Sequence, residues 1–178
     1  VLTGLRALPA FASSATLYFE APAERVAPFS EFEVKVLVDS TAALNAYSAT
    51  IRYPVHLLEF TGSNNSRSII NVWQGQPVGF ESGVLKFGGG SLAPFDGKAG
   101  ELLALRFRTK GRGTASLTFE SAATYLADGK GTKAETEPKE LAIAIAEGAP
   151  RLTANLASDE NPPEISFLAF VKDPFNPN

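Results

Sequence analysis

The stretch EFEVKVLVDSTAALNAYSATIRYPVHLLEF, residues 31–60, decides the fold. Its first ten residues alternate between a polar face and an apolar face, and the apolar set is Phe32, Val34, Val36 and Val38. A period of two is typical of a strand that is buried on one face. After a polar turn at residues 40–41 the alternation resumes, and it stops at Pro54, which cannot donate a ladder hydrogen bond. The stretch therefore predicts two neighbouring strands that contribute to one core.

Further short apolar runs flank this pair, and turn residues separate them. They predict strands at residues 15–21, 69–82, 84–87, 101–110, 114–120 and 141–146. Residues 40–41, 91–100 and 132–139 are predicted as turns or loops between strands. About nine short strands without a helical pattern indicate an all-β sandwich. We expect one domain that spans residues 15–147.

The two ends of the chain differ in character from this domain. Residues 1–14 resemble the tail of a secretory signal peptide, with an A-x-A pattern at residues 10–12, or else form an ordered N-terminal arm. Residues 148–178 contain a polar, proline-bearing linker and then the apolar run ISFLAFV. This run is either the start of a following module or a strand that packs back on the sandwich.

The composition restricts the classes of partner. The chain has 178 residues, 44% hydrophobic residues, a net charge of -3 and no cysteine. The absence of a basic patch argues against binding to nucleic acid or to an anionic membrane. Without cysteine, neither a disulfide framework nor a thiolate metal site can form. No apolar run is as long as a membrane-spanning helix requires.

Residues that could carry catalysis are few and scattered. His56 is the only histidine, so one general base at most is available, and its place beside Pro54 predicts a turn or strand-edge residue. Two facing carboxylates could hydrolyse a glycoside. The acids here are spread over strand ends and loops, as Glu59, Glu81, Asp96, Glu120 and Asp128. We therefore expect a solvated surface, and no enzyme.

Two loops and a glycine run need a separate interpretation. Asp96-Gly97 and Asp128-Gly129 carry oxygen ligands that Ca²⁺ could use, but neither loop has the alternating acids of an EF-hand. Turn formation is the better interpretation, so no metal and no cofactor are predicted. Residues 88–90 are three glycines with no helix or lysine after them. They predict a bulge or a close backbone approach.

Taken together, several segments resemble the cohesin family. These segments are ATLYFEAP, FEVKVLVDS, LNAYSATIRYP, LLEF, GVLKFGGGS, GELLALRFRTKGRGTASLTFE and LADGKGT. The resemblance covers residues 15–147, and the last segment is most similar to cohesin-like domains of large multidomain surface proteins. It implies a nine-stranded jelly-roll β-sandwich in a secreted or cell-surface bacterial protein, with a dockerin-type module as partner.

The resemblance also implies which sheet binds the partner. In cohesins the dockerin binds a flat sheet, whose strands correspond here to residues 45–53, 72–80, 84–88 and 115–120. The side chains expected to face outward on it are Asn45, Ser48, Thr50, Arg52, Trp73, Gln74, Gln76, Lys86, Ser116 and Thr118. Trp73 is the only tryptophan and either anchors a partner or fills the core.

Three functions follow from these observations. The first is a non-catalytic cohesin-like module that attaches a dockerin-type protein in an extracellular or cell-surface assembly. The second is a polysaccharide-binding module, because the family shares its fold with carbohydrate-binding modules. It would need exposed aromatic platforms such as Trp73 with Tyr47 or Tyr53, yet the alternation points both tyrosines into the core. The third is a structural spacer without a ligand.

Overall fold

The computed structural model describes residues 14–74 and 79–150, and every regular element among them is a β-strand. The ten strands are β1 (Ser14–Glu20), β2 (Arg25–Val26), β3 (Glu31–Arg52), β4 (Leu58–Asn64), β5 (Val72–Trp73), β6 (Gly79–Glu81), β7 (Val84–Thr109), β8 (Gly113–Leu126), β9 (Glu135–Pro138) and β10 (Leu141–Ile145). In this part of the chain no helix is long and apolar enough to cross a membrane. The interpretations of residues 1–13 and 151–178 concern residues outside those described.

The strands form two layers. The first layer has the order β9, β1, the first half of β3, the second half of β7, and β4. In the second layer, β5 and β6 pair with the first half of β7, which is followed by the second half of β3, then β8, β10 and β2. Most pairings are antiparallel, and those of β1 with β9 and of β2 with β10 are parallel. The predicted all-β sandwich is confirmed.

Two long strands connect the layers, which corrects the predicted division into short strands. β3 runs for 22 residues and β7 for 26, without the turns expected at residues 40–41 and 91–100. Their pairing contains register shifts between Val36 and Leu37 and again between Val38 and Ala46. Such irregularities bend strands and increase their twist, so each strand passes from one layer to the other without breaking.

One polar cluster supports this bend. Asp39 accepts hydrogen bonds from the Ala99 amide at 2.8 Å and the Tyr18 hydroxyl at 3.2 Å, and Lys98 Nζ lies 3.1 Å from its other oxygen. Ala99 has a positive φ of 54°, which is unusual for alanine. Partial burial opposes the charged form of Asp39. The Ala99 amide and the Lys98 ammonium outweigh that burial and lower its pKa.

The core lies between the layers and contains the residues that the alternation predicted. Phe32 and Phe107 are almost fully buried, with ring centroids 6.1 Å apart, and Tyr53 packs on Phe107 at 5.3 Å. In the second layer Tyr47 and Ile51 point inward and are at most 1% exposed. The residues between them therefore point to the outer surface.

Two strands were not expected. β2 lies between the first two predicted strands, where the sequence predicts no strand, and β9 lies within the predicted loop at residues 132–139. β9 is held by its parallel pairing with β1, in which Leu17 lies opposite Pro138. The Lys139 amide also donates to the Leu17 carbonyl at 2.8 Å.

Candidate docking face

The outer surface of the second layer carries a row of small, uncharged residues. On β3, Ser48 lies opposite Gly88 of β7 on one side and Ala123 of β8 on the other. Directly opposed residues point to the same side of a sheet, so the row crosses three strands. Its small members are Ala46, Ser48, Thr50, Gly88, Gly90, Ser121 and Ala123, and Tyr125, opposite Ala46, and Lys86, opposite Thr50, border them on the same surface. We call the seven small residues the small-residue face.

Arg52, Glu120 and Lys86 lie at one end of this face, and the exposed Lys133, which is bridged to Tyr125, lies near the other end. Arg52 Nη2 lies 2.7 Å from Glu120 Oε1, and both side chains are about half exposed. Lys86 is exposed and lies opposite Thr50. Of the predicted residues, the structure therefore brings Ser48, Thr50, Arg52 and Lys86 together on one surface.

Gly88 has no side chain and leaves the middle of the face shallow. A Cβ atom at this position would lie 3.2 Å from Gln74 Oε1 and 3.8 Å from the Ser48 Cβ. The backbone N–H of Gln74 donates to the Gly88 carbonyl at 3.0 Å, and this bond holds the exposed Gln74 beside the face. Gly88 thus joins two predicted residues, Ser48 and Gln74, and leaves a shallow surface between them.

The structure corrects the predicted orientation of Trp73. Its side chain is half-buried and packs against the core. It lies opposite Gly89, where a Cβ atom would point at Ile70 Cγ2, only 2.6 Å away. Val72 is 53% exposed instead. Alternation could have found this, because an outward Gln74 requires its neighbour Trp73 to point inward.

The remaining predicted residues lie in different places. Ser116 is exposed and Thr118 half-buried on β8, beyond the end of the row. Asn45 is half-buried where the pairing of β3 is irregular, so it is not part of the row. Gln76 lies outside the described residues. Whether any of these residues contacts a partner stays a prediction.

The depression beside Arg52 was not predicted. It has a volume of about 450 Å³ and is open to solvent. Its lining consists of Arg52, Tyr53, Pro54, Thr114, Ser116 and Thr118. Arg52, Ser116 and Thr118 are among the predicted partner-binding residues, whereas Tyr53, Pro54 and Thr114 are not.

Two of the groups considered for chemistry, His56 and Asp128, lie in loops between strands. His56 lies exposed in the turn that follows Pro54, as predicted. Asp128 accepts hydrogen bonds from the Lys130 amide and the Thr132 hydroxyl. The Thr132 and Lys130 bonds lower the pKa of Asp128, and they are the contacts of a closed turn. Within residues 14–74 and 79–150, no three His, Cys, Asp or Glu side chains are grouped to hold a metal ion.

Known proteins resemble this chain in structure and not in sequence. No family model matches it, and no curated protein does. The solution structure of CaCohA2 from Clostridium acetobutylicum has a TM-score of 0.61 at 13% identity, over 79% of this chain and 96% of that one. A non-cellulosomal cohesin from the archaeon Archaeoglobus fulgidus has a TM-score of 0.57 at 20% identity, over 75% and 91%.

A third similar structure contains a bound partner. The sixth cohesin of scaffoldin B from Acetivibrio cellulolyticus, in complex with a mutant Cel5 dockerin, has a TM-score of 0.59 at 17% identity. The match covers 75% of this chain and 99% of that one. At these identities the similarity concerns the fold. The chain therefore has the jelly-roll β-sandwich fold of cohesin modules.

Proposed function

We propose that residues 15–147 form a non-catalytic binding module that attaches a dockerin-type protein module through the small-residue face. The observation that carries this proposal is the row of small, uncharged side chains across β7, β3 and β8. Such a surface lets a partner approach the sheet backbone closely over a wide area.

Binding to this face has a low cost. Ala, Gly, Ser and Thr lose little side-chain entropy when a partner covers them, and they carry no charge to desolvate. Arg52 with Glu120 and also Lys86 lie at one end of the face, and Lys133 lies near the other end. Charges at the rim favour one orientation of a partner, because a reversed partner would meet unmatched charge.

The comparisons support a protein partner. The cohesin of Acetivibrio cellulolyticus that shares this fold was solved with a dockerin bound. Because cohesins are modules of exported proteins, we further propose that this chain acts outside the cell or on its surface.

The buried tyrosines weigh against a polysaccharide ligand. Tyr47 is 1% exposed and Tyr53 is 7% exposed, so neither ring offers a face to a sugar. Trp73 is half-buried and packs against the core. On the outer surface Tyr125 is half-buried opposite Ala46, and one partly covered ring does not make a row of aromatic platforms.

The test is a pull-down from the secreted and surface fraction of the source organism, with three forms of the full chain as bait. The wild type is compared with Gly88→Val, which raises a side chain in the middle of the face, and with Lys35→Glu on the opposite face. Mass spectrometry identifies the retained proteins, and a second elution uses EDTA. EDTA should release a dockerin-type partner, because its calcium loops need their ion.

We expect the wild type and Lys35→Glu to retain a protein with a duplicated calcium-loop segment, and Gly88→Val to lose it. Retention by all three forms would place binding elsewhere and contradict the proposed face. If no protein is retained and a polysaccharide panel binds, the module recognises carbohydrate. If both assays are negative, the domain is a spacer.

A further inference from the structure

The depression beside Arg52 exists because two neighbouring strands end at different levels. β3 ends at Arg52, and its pairing with β8 ends where Arg52 lies opposite Thr118. The Tyr53 amide then donates to the Gly83 carbonyl at 3.1 Å, which takes the chain away from β8. β8 itself extends back to Gly113. Residues 113–117 therefore border an open space where β3 would otherwise continue.

Hydroxyl groups line one side of this space. Thr114, Ser116 and Thr118 alternate along β8 and place their hydroxyl groups on the same side of the strand. On β10, Ala144 lies opposite Thr114 and Ala142 opposite Ser116, so only methyl groups flank the hydroxyls there. Thr114 and Ser116 are exposed.

Arg52 provides the positive charge, and no acidic residue lines the depression. Glu120, outside the lining, takes one hydrogen bond from Arg52 Nη2 at 2.7 Å. A guanidinium group has five N–H donors in a planar fork. Several donors of Arg52 therefore remain for an acceptor that enters the depression.

We propose that this depression is a carboxylate pocket that receives an acidic side chain of the docked protein, with Arg52 as the specificity-determining residue. The identity of the docked protein rests on the proposed function, whereas the affinity of the pocket for a carboxylate does not. A carboxylate accepts a bidentate hydrogen bond from arginine and further bonds from hydroxyl groups. An amide of the same shape gains only neutral hydrogen bonds and pairs less strongly with the guanidinium.

The position of the pocket suits this role. It lies next to the small-residue face, because Thr50 and Arg52 are successive outward residues of β3. A partner that covers the face would also shield the pocket from water, which strengthens a charge-assisted contact. One acidic side chain at the edge of the partner would then fix its register on the sheet.

The experiment titrates the ¹⁵N-labelled full chain with N-acetyl-aspartate N-methylamide, at constant low ionic strength, and follows amide chemical shifts. The matched neutral probe is N-acetyl-asparagine N-methylamide. We expect saturable shifts at Thr114, Ser116 and Thr118 with the aspartate probe, and affinity weaker by about tenfold for the asparagine probe. Arg52→Gln should lose the preference for the carboxylate, and the control Lys35→Gln on the opposite face should keep it.

The pocket is refuted if the aspartate probe causes no local shifts in the wild type, or if Arg52→Gln responds as the wild type does. Spectra without ligand show whether each variant is folded. This outcome is separate from the pull-down. A retained dockerin-type partner with no carboxylate response leaves the proposed function intact and removes the pocket. A carboxylate response with no retained protein supports the pocket and contradicts the proposed function.

Discussion

The two outer surfaces of the sandwich share the long strands β3 and β7 and differ in their side chains. On the first layer, Lys35 pairs with Glu20 at 2.8 Å and Lys98 with Asp39 at 3.1 Å. Arg108 pairs with Glu31 in the same layer. We call this surface the charged face. The small-residue face of the second layer consists of uncharged residues with charged groups around its rim, and β3 and β7 contribute to both surfaces.

This difference shows how one strand pattern gives the two surfaces different chemical character. The inner residues are apolar in both layers, so the core does not distinguish the faces. Exposed ion pairs contribute little to stability, but a partner that covers them must remove their water. The charged face therefore stays solvated, whereas the small-residue face can be covered at little cost.

The largest effects are expected at the adjacent glycines Gly88 and Gly89, which lie on the outer and inner sides of β7. A side chain at Gly89 would meet Ile70 Cγ2 and the Val72 carbonyl, both at 2.6 Å, and the carbonyl cannot move aside. We expect Gly89→Val to lower the free energy of unfolding by about 3 kcal/mol. Gly88→Val should change it by less than about 1 kcal/mol, because its nearest contact is the flexible end of Gln74.

Urea unfolding measures both stabilities, and titration calorimetry with the retained partner measures affinity. We expect Gly88→Val to weaken binding about a hundredfold, which equals about 2.7 kcal/mol. Equal loss of stability in the two variants would mean that the inner and outer sides of β7 are wrongly assigned.

Trp73 and Gln74 provide the next test. Trp73 ends β5 and Gln74 follows it, and the two side chains point to opposite sides of the sheet. Trp73→Ala removes a half-buried ring that packs on the core, and should cost about 2 kcal/mol of stability in thermal or urea unfolding. Gln74→Ala should cost less than about 0.5 kcal/mol. If Trp73→Ala leaves stability unchanged and abolishes partner binding, the tryptophan belongs to the outer surface.

The contacts of Asp39 in the first layer can be tested by measuring how the free energy of unfolding depends on pH. The pKa of Asp39 is lower in the folded protein, so its stabilising effect is present above its unfolded pKa of about 3.9. The effect is lost as the pH falls through the lower, folded pKa. Asp39→Asn should lower the free energy of unfolding by about 1 kcal/mol at neutral pH.

The difference between the wild type and Asp39→Asn should disappear in strong acid, where the carboxyl group is protonated. Thr16→Ala, on the neighbouring strand, controls for a general effect of surface substitution. A difference that stays constant at all pH values would show that the charge of Asp39 does not hold the bend.

The smallest effect is expected on the charged face. Lys35 and Glu20 are 36% and 53% exposed, so Lys35→Ala should change stability by about 0.5 kcal/mol or less. Partner affinity should stay the same, because this side chain lies on the opposite layer. A tenfold loss of affinity in Lys35→Ala, measured by the same calorimetry, would mean that the partner binds the charged face.

The alternation of the sequence predicts the sides of the strands well. Tyr47 and Ile51 are buried and Ser48 and Thr50 point outward, because a period of two leaves one choice once the apolar side is known. Trp73 points inward against the prediction, and Asn45 lies outside the row because the pairing of β3 is irregular there. The strand of Trp73 has only two residues, so the alternation there is too short to show which side is apolar. A large aromatic ring is also a common binding anchor, which favours the outward orientation.

Features that depend on distant residues could not be predicted in this way. The bend of β3 is supported by Lys98 and Ala99, far along the chain from Asp39. β9 has the polar sequence ETEP and is a strand because β1 pairs with it. The depression beside Arg52 arises because β3 ends before β8 does, and a local pattern carries no information about that offset.

The most direct test of the account is hydrogen exchange of the full chain, measured by mass spectrometry with and without the retained partner. We predict that the partner slows exchange in peptides that cover residues 44–52, 84–90 and 114–123, on the small-residue face and the pocket. Peptides that cover residues 16–20 and 31–39, on the charged face, should exchange at the same rate in both states. Slower exchange on the charged face, with none on the small-residue face, would contradict the account.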